Sequence, residues 1–312
     1  MATLGSMFGA REVETFLGLP ACPDLDLKGA RLALIGADGC TPYPSVGFYC
    51  AGGPQAIRAA AASYAANLGH VNFDLGGPVL PDGVRAVDCG DLAVRMGDAE
   101  GNRDLIRAAI GAILDQEAVP LLLGGDDSLP LPMLQALGDA GRQVVILQID
   151  AHIDWRDEVG GERWGLSSTM RRASEMAHVT GIVQVGQRGI GSARPKDLQD
   201  ALEWGVAFIP AGEVARAGVW RAVDLIPEGA EVVICLDLDA LDPSVMPAVI
   251  GRTAGGLDYW HVLELVGAVA EKARIVGFDM VEFMPDRDID GQGATVAAQL
   301  LAGVVGILAR QG

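Results

Sequence analysis

Apolar residues in this chain fall mostly in short unbroken runs, not in strict alternation. Val144-Val145-Ile146-Leu147-Gln148-Ile149 and Val232-Val233-Ile234-Cys235-Leu236 are the clearest, both β-branched and bounded by polar residues. A strand reads this way when helices cover both faces of a parallel sheet and neither side meets water. Further strands are expected at Arg31–Gly36, Val84–Asp91, Pro120–Leu123, Ile182–Val185, Ala207–Ile209 and Arg274–Phe278. Helical stretches lie between them: Ala-rich Pro54–Asn67, amphipathic Asn102–Ala118, Pro130–Gly141, Asp258–Ala273 with Asp258 as N-cap, and a terminal Ala294–Leu308. Residues 41–54, rich in Pro and Gly, read as a loop. Regular alternation of strand and helix with short connections predicts an α/β fold around a parallel sheet. No repeat, low-complexity tract or linker interrupts it, so a single domain is expected over residues 1–312, with 1–30 as an N-terminal extension.

In such sheets ligands bind beyond the carboxyl ends of the strands, so the loops after residues 123, 149, 236 and 278 are expected to converge. The two clearest runs end in acidic clusters, Asp150-Ala151-His152-Ile153-Asp154 and Asp237-Leu238-Asp239, the latter followed by Asp242-Pro243. A carboxylate at the end of a buried strand is costly unless its charge is compensated. The clusters therefore predict a bound cation, except that Asp242, before a proline, reads as a turn or cap residue. Oxygen ligands with one imidazole favour Mn²⁺, Mg²⁺ or a similar ion over a thiolate zinc site, with Ni²⁺ also compatible. Asp150 and Asp237 begin their clusters and are placed to bridge two ions. Such a pair can share a water and hold it as hydroxide for attack on carbon or phosphorus. Gly124-Gly125 is too short for a phosphate-cradling loop and no Gly-Lys-Ser/Thr follows, which lowers the phosphoryl reading. No Gly-x-Ser-x-Gly elbow is present.

Charge narrows the partners. Lys plus Arg number 23 and Asp plus Glu 41, a formal charge of −18, with no basic cluster. That argues against nucleic acid or an anionic membrane and suits a cationic substrate. The five cysteines are an odd number without metal-type spacing, the usage of a reducing compartment, hence the cytoplasm. Residues 1–20 show no signal-peptide pattern, and no run is expected to span a membrane.

Three ordered blocks resemble the ureohydrolases (arginase, agmatinase, guanidinobutyrase, formiminoglutamase): Gly124-Gly125-Asp126-Asp127-Ser128, Asp150-Ala151-His152-Ile153-Asp154, and Asp237-Leu238-Asp239-Ala240-Leu241-Asp242-Pro243. Gly53-Pro54-Gln55-Ala56-Ile57-Arg58 and Asp279-Met280-Val281-Glu282 resemble two further family elements, and the likeness runs from about residue 30 to the end. It implies a three-layer α/β/α sandwich with a mainly parallel sheet. It also implies hydrolysis of a guanidino or amidine C–N bond by a hydroxide held on two divalent ions, usually Mn²⁺, in trimers or hexamers. Carried over by position, Asp150 and Asp237 would bridge, Asp154 would serve one ion, and His152 with Asp239 the other. Asp154 would also orient the nucleophile, and Glu282 would hold the guanidinium.

The chain departs from the family pattern in three places. Asp127 stands where most members have a ligand His, which points to an altered metal preference or a weakened first metal; a site partly degenerate, in a non-catalytic subunit of a hetero-oligomer, is the other reading. Trp164-Gly165 replaces a His-Gly pair, so no proton-shuttle His is expected there, although Trp164 can offer an apolar wall or a cation–π face. His178 and His261 read as helix or surface residues. The loop Trp155–Arg163, including Asp157 as a candidate substrate contact, lacks the Asn and Ser pattern with which arginase holds an amino-acid head. The expected substrate is thus a small cationic guanidine without that head: agmatine, guanidinobutyrate, or an alkylated guanidine or biguanide of the kind metformin hydrolase, a nickel-dependent relative, takes.

Overall fold

A computed structural model describes residues 13–312. Of the expected N-terminal extension, residues 1–12 lie outside the described residues. The rest is tied to the sheet edge: the Phe16 amide donates to Asp88 Oδ2 at 2.7 Å, Ala21 bridges Asp88, and Phe16, Leu17, Leu19 and Leu27 are buried.

Eight parallel strands form one sheet: β1 (Leu32–Gly36), β2 (Ala86–Asp91), β3 (Val119–Leu123), β4 (Val144–Ile149), β5 (Val179–Val185), β6 (Ala207–Ile209), β7 (Glu231–Asp237) and β8 (Arg274–Val281). Their order is β2-β1-β3-β8-β7-β4-β5-β6. The helices are α1 (Gly53–Ala62), α2 (Ala99–Leu114), α3 (Pro130–Asp139), α4 (Thr169–Ser174), α5 (Pro195–Trp204), α6 (Ala211–Ala217), α7 (Trp220–Leu225), α8 (Tyr259–Lys272) and α9 (Gln292–Arg310). Side chains alternate along each strand, so two cores form on opposite faces. Leu147, Ile149, Val232, Ile234 and Leu236 pack with α8 and α9, while Val144, Ile146, Val233 and Cys235 pack with α2 and α3. The result is the α/β/α sandwich that the unbroken apolar runs imply.

Four differences from the expected elements have physical causes. The Ala-rich helix stops at Ala62, where the Ser63 hydroxyl bonds back to the Ala60 carbonyl, and resumes only as a short turn at Ala65–Asn67. The second helix begins earlier, because Asp98 caps it through the Gly101 amide. Strand β8 runs three residues past Phe278, so Asp279 lies inside the sheet and not in a loop. Finally, α9 is long and apolar enough to span a membrane, contrary to expectation, with 19 residues and a mean hydropathy of 1.6. It is nevertheless a core helix, burying Leu300, Leu301, Val304, Val305 and Leu308 against α8 and β1.

The order places β3, β8, β7 and β4 side by side at the centre of the sheet. Their carboxyl ends carry Asp127, Glu282, Asp237 with Asp239, and Asp150 with Asp154. The four loops expected to converge belong to four adjacent strands.

Candidate metal centre

Buried strands deliver their last side chains to the floor of a cavity, where little of each is exposed. Asp127, Asp150, Asp237, Asp239 and Glu282 are all buried, each at most 4% exposed. Ligand atoms of Asp150, His152 and Asp239 lie within 4.8 Å of one another, and those of Asp127, Asp150 and Asp154 form a second such group. Asp150 belongs to both. Asp237 lines the same cavity, with Oδ1 accepting the Asp239 amide at 2.7 Å, but falls outside both groups.

Local backbone holds these groups in place. Gly125 lets the loop after β3 lie against the loop after β1: a Cβ there would sit 2.5 Å from the Gly39 Cα. Glu282 and Asp154 both adopt left-handed backbone, at φ 69° and 45°. Non-glycine residues are strained there, and such strain gathers at sites that need a side chain aimed against local preference. Gln148, the polar side chain within the apolar β4 run, donates Nε2 to Asp150 Oδ2 at 2.6 Å and to Asp154 Oδ2 at 2.7 Å. The Tyr49 hydroxyl and the Asp127 amide both donate to Glu282 Oε1, the latter at 3.0 Å.

The electrostatics of the cluster favour positive charge beside it. Burial, then neighbouring carboxylates, raise the carboxyls of Asp127, Asp154, Asp237 and Asp150 above their ordinary range. Burial pushes Asp279 up to about 8. Burial would lower His152, but bonds to Asp150 and Asp239 outweigh it and raise the imidazole to about 12. Asp127 Oδ2 and both oxygens of Asp279 are buried without a partner. Asp127 therefore does not cap α3, whose N-terminal residue shows no side-chain cap. An orphaned carboxylate oxygen at Asp127, oxygen donors and one imidazole fit divalent cations, which would offset the crowded carboxylate charge. Asp242 is a turn residue, accepting from the Ser244, Gly255 and Gly256 amides, and is held down at about 2 by the Ser244 hydroxyl and these amides.

The cavity above the cluster is about 230 Å³ and is lined by Asp127, His152, Asp154, Asp237, Asp239 and Glu282 together with Arg156, Arg194 and Asp197. Four larger surface grooves, of about 310 to about 650 Å³, hold no such cluster among the described residues. Two expected substrate contacts lie outside the cavity lining. Trp164 stacks 5.3 Å from the Arg103 guanidinium, held by Gly165, where a Cβ would strike the Tyr43 ring at 2.3 Å. Asp157 is exposed and captured by Arg172 at 2.8 Å and Arg163 at 3.2 Å. His178 bonds the Leu134 carbonyl, and His261 completes the cap of α8. Tyr49, Gln148 and Arg156 went unread in the sequence; only Gln148, a polar interruption in an apolar run, carried a signal.

The carboxylate and imidazole cluster at the centre of a parallel sheet, together with the relatives of the chain, identifies a hydrolase acting on non-peptide C–N bonds of linear amidines. The sequence profile of the arginase family matches residues 45–306, and the chain belongs to that family, in its agmatinase-like branch. It is 29% identical over 294 residues to an N(1)-aminopropylagmatine ureohydrolase of Thermococcus kodakarensis, covering 93% of this chain and 95% of that protein. It is 30% identical over 297 residues to the proclavaminate amidinohydrolase of Streptomyces clavuligerus, covering 93% and 91%. The structure of a proclavaminate amidinohydrolase from that organism superposes with a TM-score of 0.80 at 28% identity over 97% of this chain and 99% of that one.

Proposed function

We propose that this chain, as a single domain, is a two-cation amidinohydrolase that releases urea from a guanidino compound without an α-amino-acid head. One observation carries the reading: Asp150 is shared between two ligand groups, and Glu282 opens into the same cavity. Asp127, Asp150, Asp154, His152, Asp237 and Asp239 would hold the ions, with Mn²⁺ the first candidate and Ni²⁺ the second. When bound, two divalent cations supply Lewis acidity and an acidified water.

The chain's own residues supply the rest. Glu282, its Oε1 fixed by Tyr49 and the Asp127 amide, meets the cationic guanidinium in a charge-assisted pair and presents its central carbon. Asp154, positioned by Gln148, orients the attacking water and accepts its proton. Water oxygen bonds to the guanidinium carbon, the bond to the substituted nitrogen breaks, that nitrogen takes the proton, and urea and an amine leave. Five buried free cysteines suit a reducing compartment such as the cytoplasm.

The test is urea release from a panel of guanidines by protein loaded with Mn²⁺ or Ni²⁺. Release that a chelator abolishes supports the proposal. Full metal loading without urea from any guanidine, or with dimethylamine and ammonia instead, would move the chain to the non-catalytic or alkylated-guanidine readings.

A further inference from the structure

We propose that Arg188 is a positioning residue for one of the two cations, the one assigned to His152 and Asp239, because it clasps the main chain that carries those ligands; this rests on the two-cation reading above and adds a residue to it. Arg188 follows the end of β5, outside the acidic blocks, and does not line the cavity. It is half-buried, and its guanidinium makes six contacts, all to main-chain oxygens. Nε donates to the Thr253 carbonyl at 3.0 Å. Nη1 donates to the carbonyls of Gly186 at 3.2 Å and Ala240 at 3.0 Å. Nη2 faces those of Asp239 and Thr253, both at 2.7 Å, and Leu241 at 3.1 Å.

These carbonyls belong to segments that meet around two ligands. Asp239, Ala240 and Leu241 form the turn after β7. Thr253 lies two residues beyond Gly251, which is pressed against the ligands: a Cβ there would sit 3.1 Å from Asp239 Oδ2 and 3.3 Å from His152 Cε1. His152 Nδ1 is itself 3.1 Å from Asp239 Oδ2. The Arg188 amide donates to the Ala151 carbonyl at 3.2 Å, and the Ala151 amide donates to Asp239 Oδ1 at 3.2 Å. Arg188 thus holds both acidic blocks, through its main chain and through its side chain. The guanidinium has no room to shift: a Cβ at Gly256 would lie 2.7 Å from Nη2. A guanidinium offers five N–H donors in a rigid planar fork, whereas an ammonium offers three on a flexible stem. Groups that orient metal ligands from behind set metal affinity without touching the ion. No carbonyl of Asp127, Asp150 or Asp154 is among the guanidinium's six partners, so its effect falls on one ion and not on the other.

The experiment titrates metal-stripped, full-length protein with Mn²⁺ by calorimetry, wild type beside Arg188→Met and Arg188→Lys. The denaturant midpoint of each metal-free protein is the folding control. Wild type is expected to take up two ions. In Arg188→Met one ion is expected to bind about 10- to 100-fold more weakly, the range typical of groups that support metal ligands, while the other keeps its affinity. Crystals of the variant at limiting Mn²⁺ should lose the anomalous peak at His152 and Asp239 first. Arg188→Lys keeps the charge without the fork and is expected to weaken the same ion. It is the milder change, and it decides the matter if Arg188→Met does not fold. Wild type binding fewer than two ions would remove the two-cation reading and this proposal with it. With two ions in wild type, unchanged affinities in a folded variant, whatever its midpoint, would show a merely structural role and overturn the proposal alone. Equal weakening of both ions, or wild-type affinity in Arg188→Lys, would overturn it as well.

Discussion

Gln148 interrupts the apolar run of β4 and spends both its donor contacts on Asp150 and Asp154. Residues of this kind decide the site, and they were unequally legible. The acidic blocks could be read because a carboxylate at the end of a buried strand demands a compensating charge. Tyr49 could not, since its contact with Glu282 spans 233 positions and no local pattern announces it. Two predictions belong at this scale. Glu282→Gln is expected to lower kcat/KM on the true substrate by about 30-fold or more, the low end of the cost of unpairing a buried charge, with metal content nearly unchanged. Steady-state kinetics with metal analysis checks it, and wild-type kcat/KM in the variant would remove Glu282 from guanidinium binding. If Asp127 is the oxygen ligand proposed above, Asp127→His puts a longer nitrogen donor in its place, so metal preference is expected to move away from the hardest ions. Competitive loading with Mn²⁺, Ni²⁺, Co²⁺ and Zn²⁺ reads this directly, and an unchanged selectivity would show that position 127 does not set the metal.

Elements were legible where periodicity ran long. Strand β4 spans the expected Val144–Ile149, and Asp258 caps α8 as its sequence position suggests. Helices α4, α5, α6 and α7 escaped the reading: α4, α6 and α7 have seven residues or fewer, too short to show periodicity, and α5 buries only Asp197 and Ala201, so it carries no apolar stripe. Strand order escaped it too: that β8 enters between β3 and β7 depends on packing between distant segments. The Asp258 cap offers a clean test of element-level stability. Its side chain accepts the His261 amide at 2.8 Å, and His261 returns the bond to the Asp258 amide. Asp258→Ala is expected to cost about 1 kcal/mol of folding stability, measured by denaturant midpoint, while catalysis is unchanged. Loss of activity at full folding would tie α8 to the site in a way its position does not suggest.

At the scale of the whole molecule, the buried acidic cluster couples stability to pH and metal. Carboxyls raised by burial keep protons that the unfolded chain releases. The native state therefore binds more protons than the unfolded one, and metal-free stability falls as pH rises from the ordinary carboxylate range toward about 8, the value for Asp279. His152, raised to about 12, acts with the same sign, its contribution complete below the ordinary imidazole range and lost as pH climbs toward that value. Cations displace these protons, so their affinity grows with pH. Thermal unfolding should thus show chelated protein losing Tm from about pH 5 to about pH 8, and Mn²⁺ restoring more at the upper end. A metal increment that shrinks with rising pH would contradict the assignment of these carboxylates as ligands.

The central claim, that one buried cluster at the middle of the sheet holds two cations, is tested most directly by anomalous diffraction from crystals of the Mn²⁺-loaded protein. Two peaks per chain are expected, roughly 3.5–4 Å apart, as in other two-metal sites. Asp150 should lie between them, Asp127 and Asp154 at one ion, and His152 and Asp239 at the other. A single peak, or none within coordination distance of Asp150 in fully loaded protein, would contradict the account.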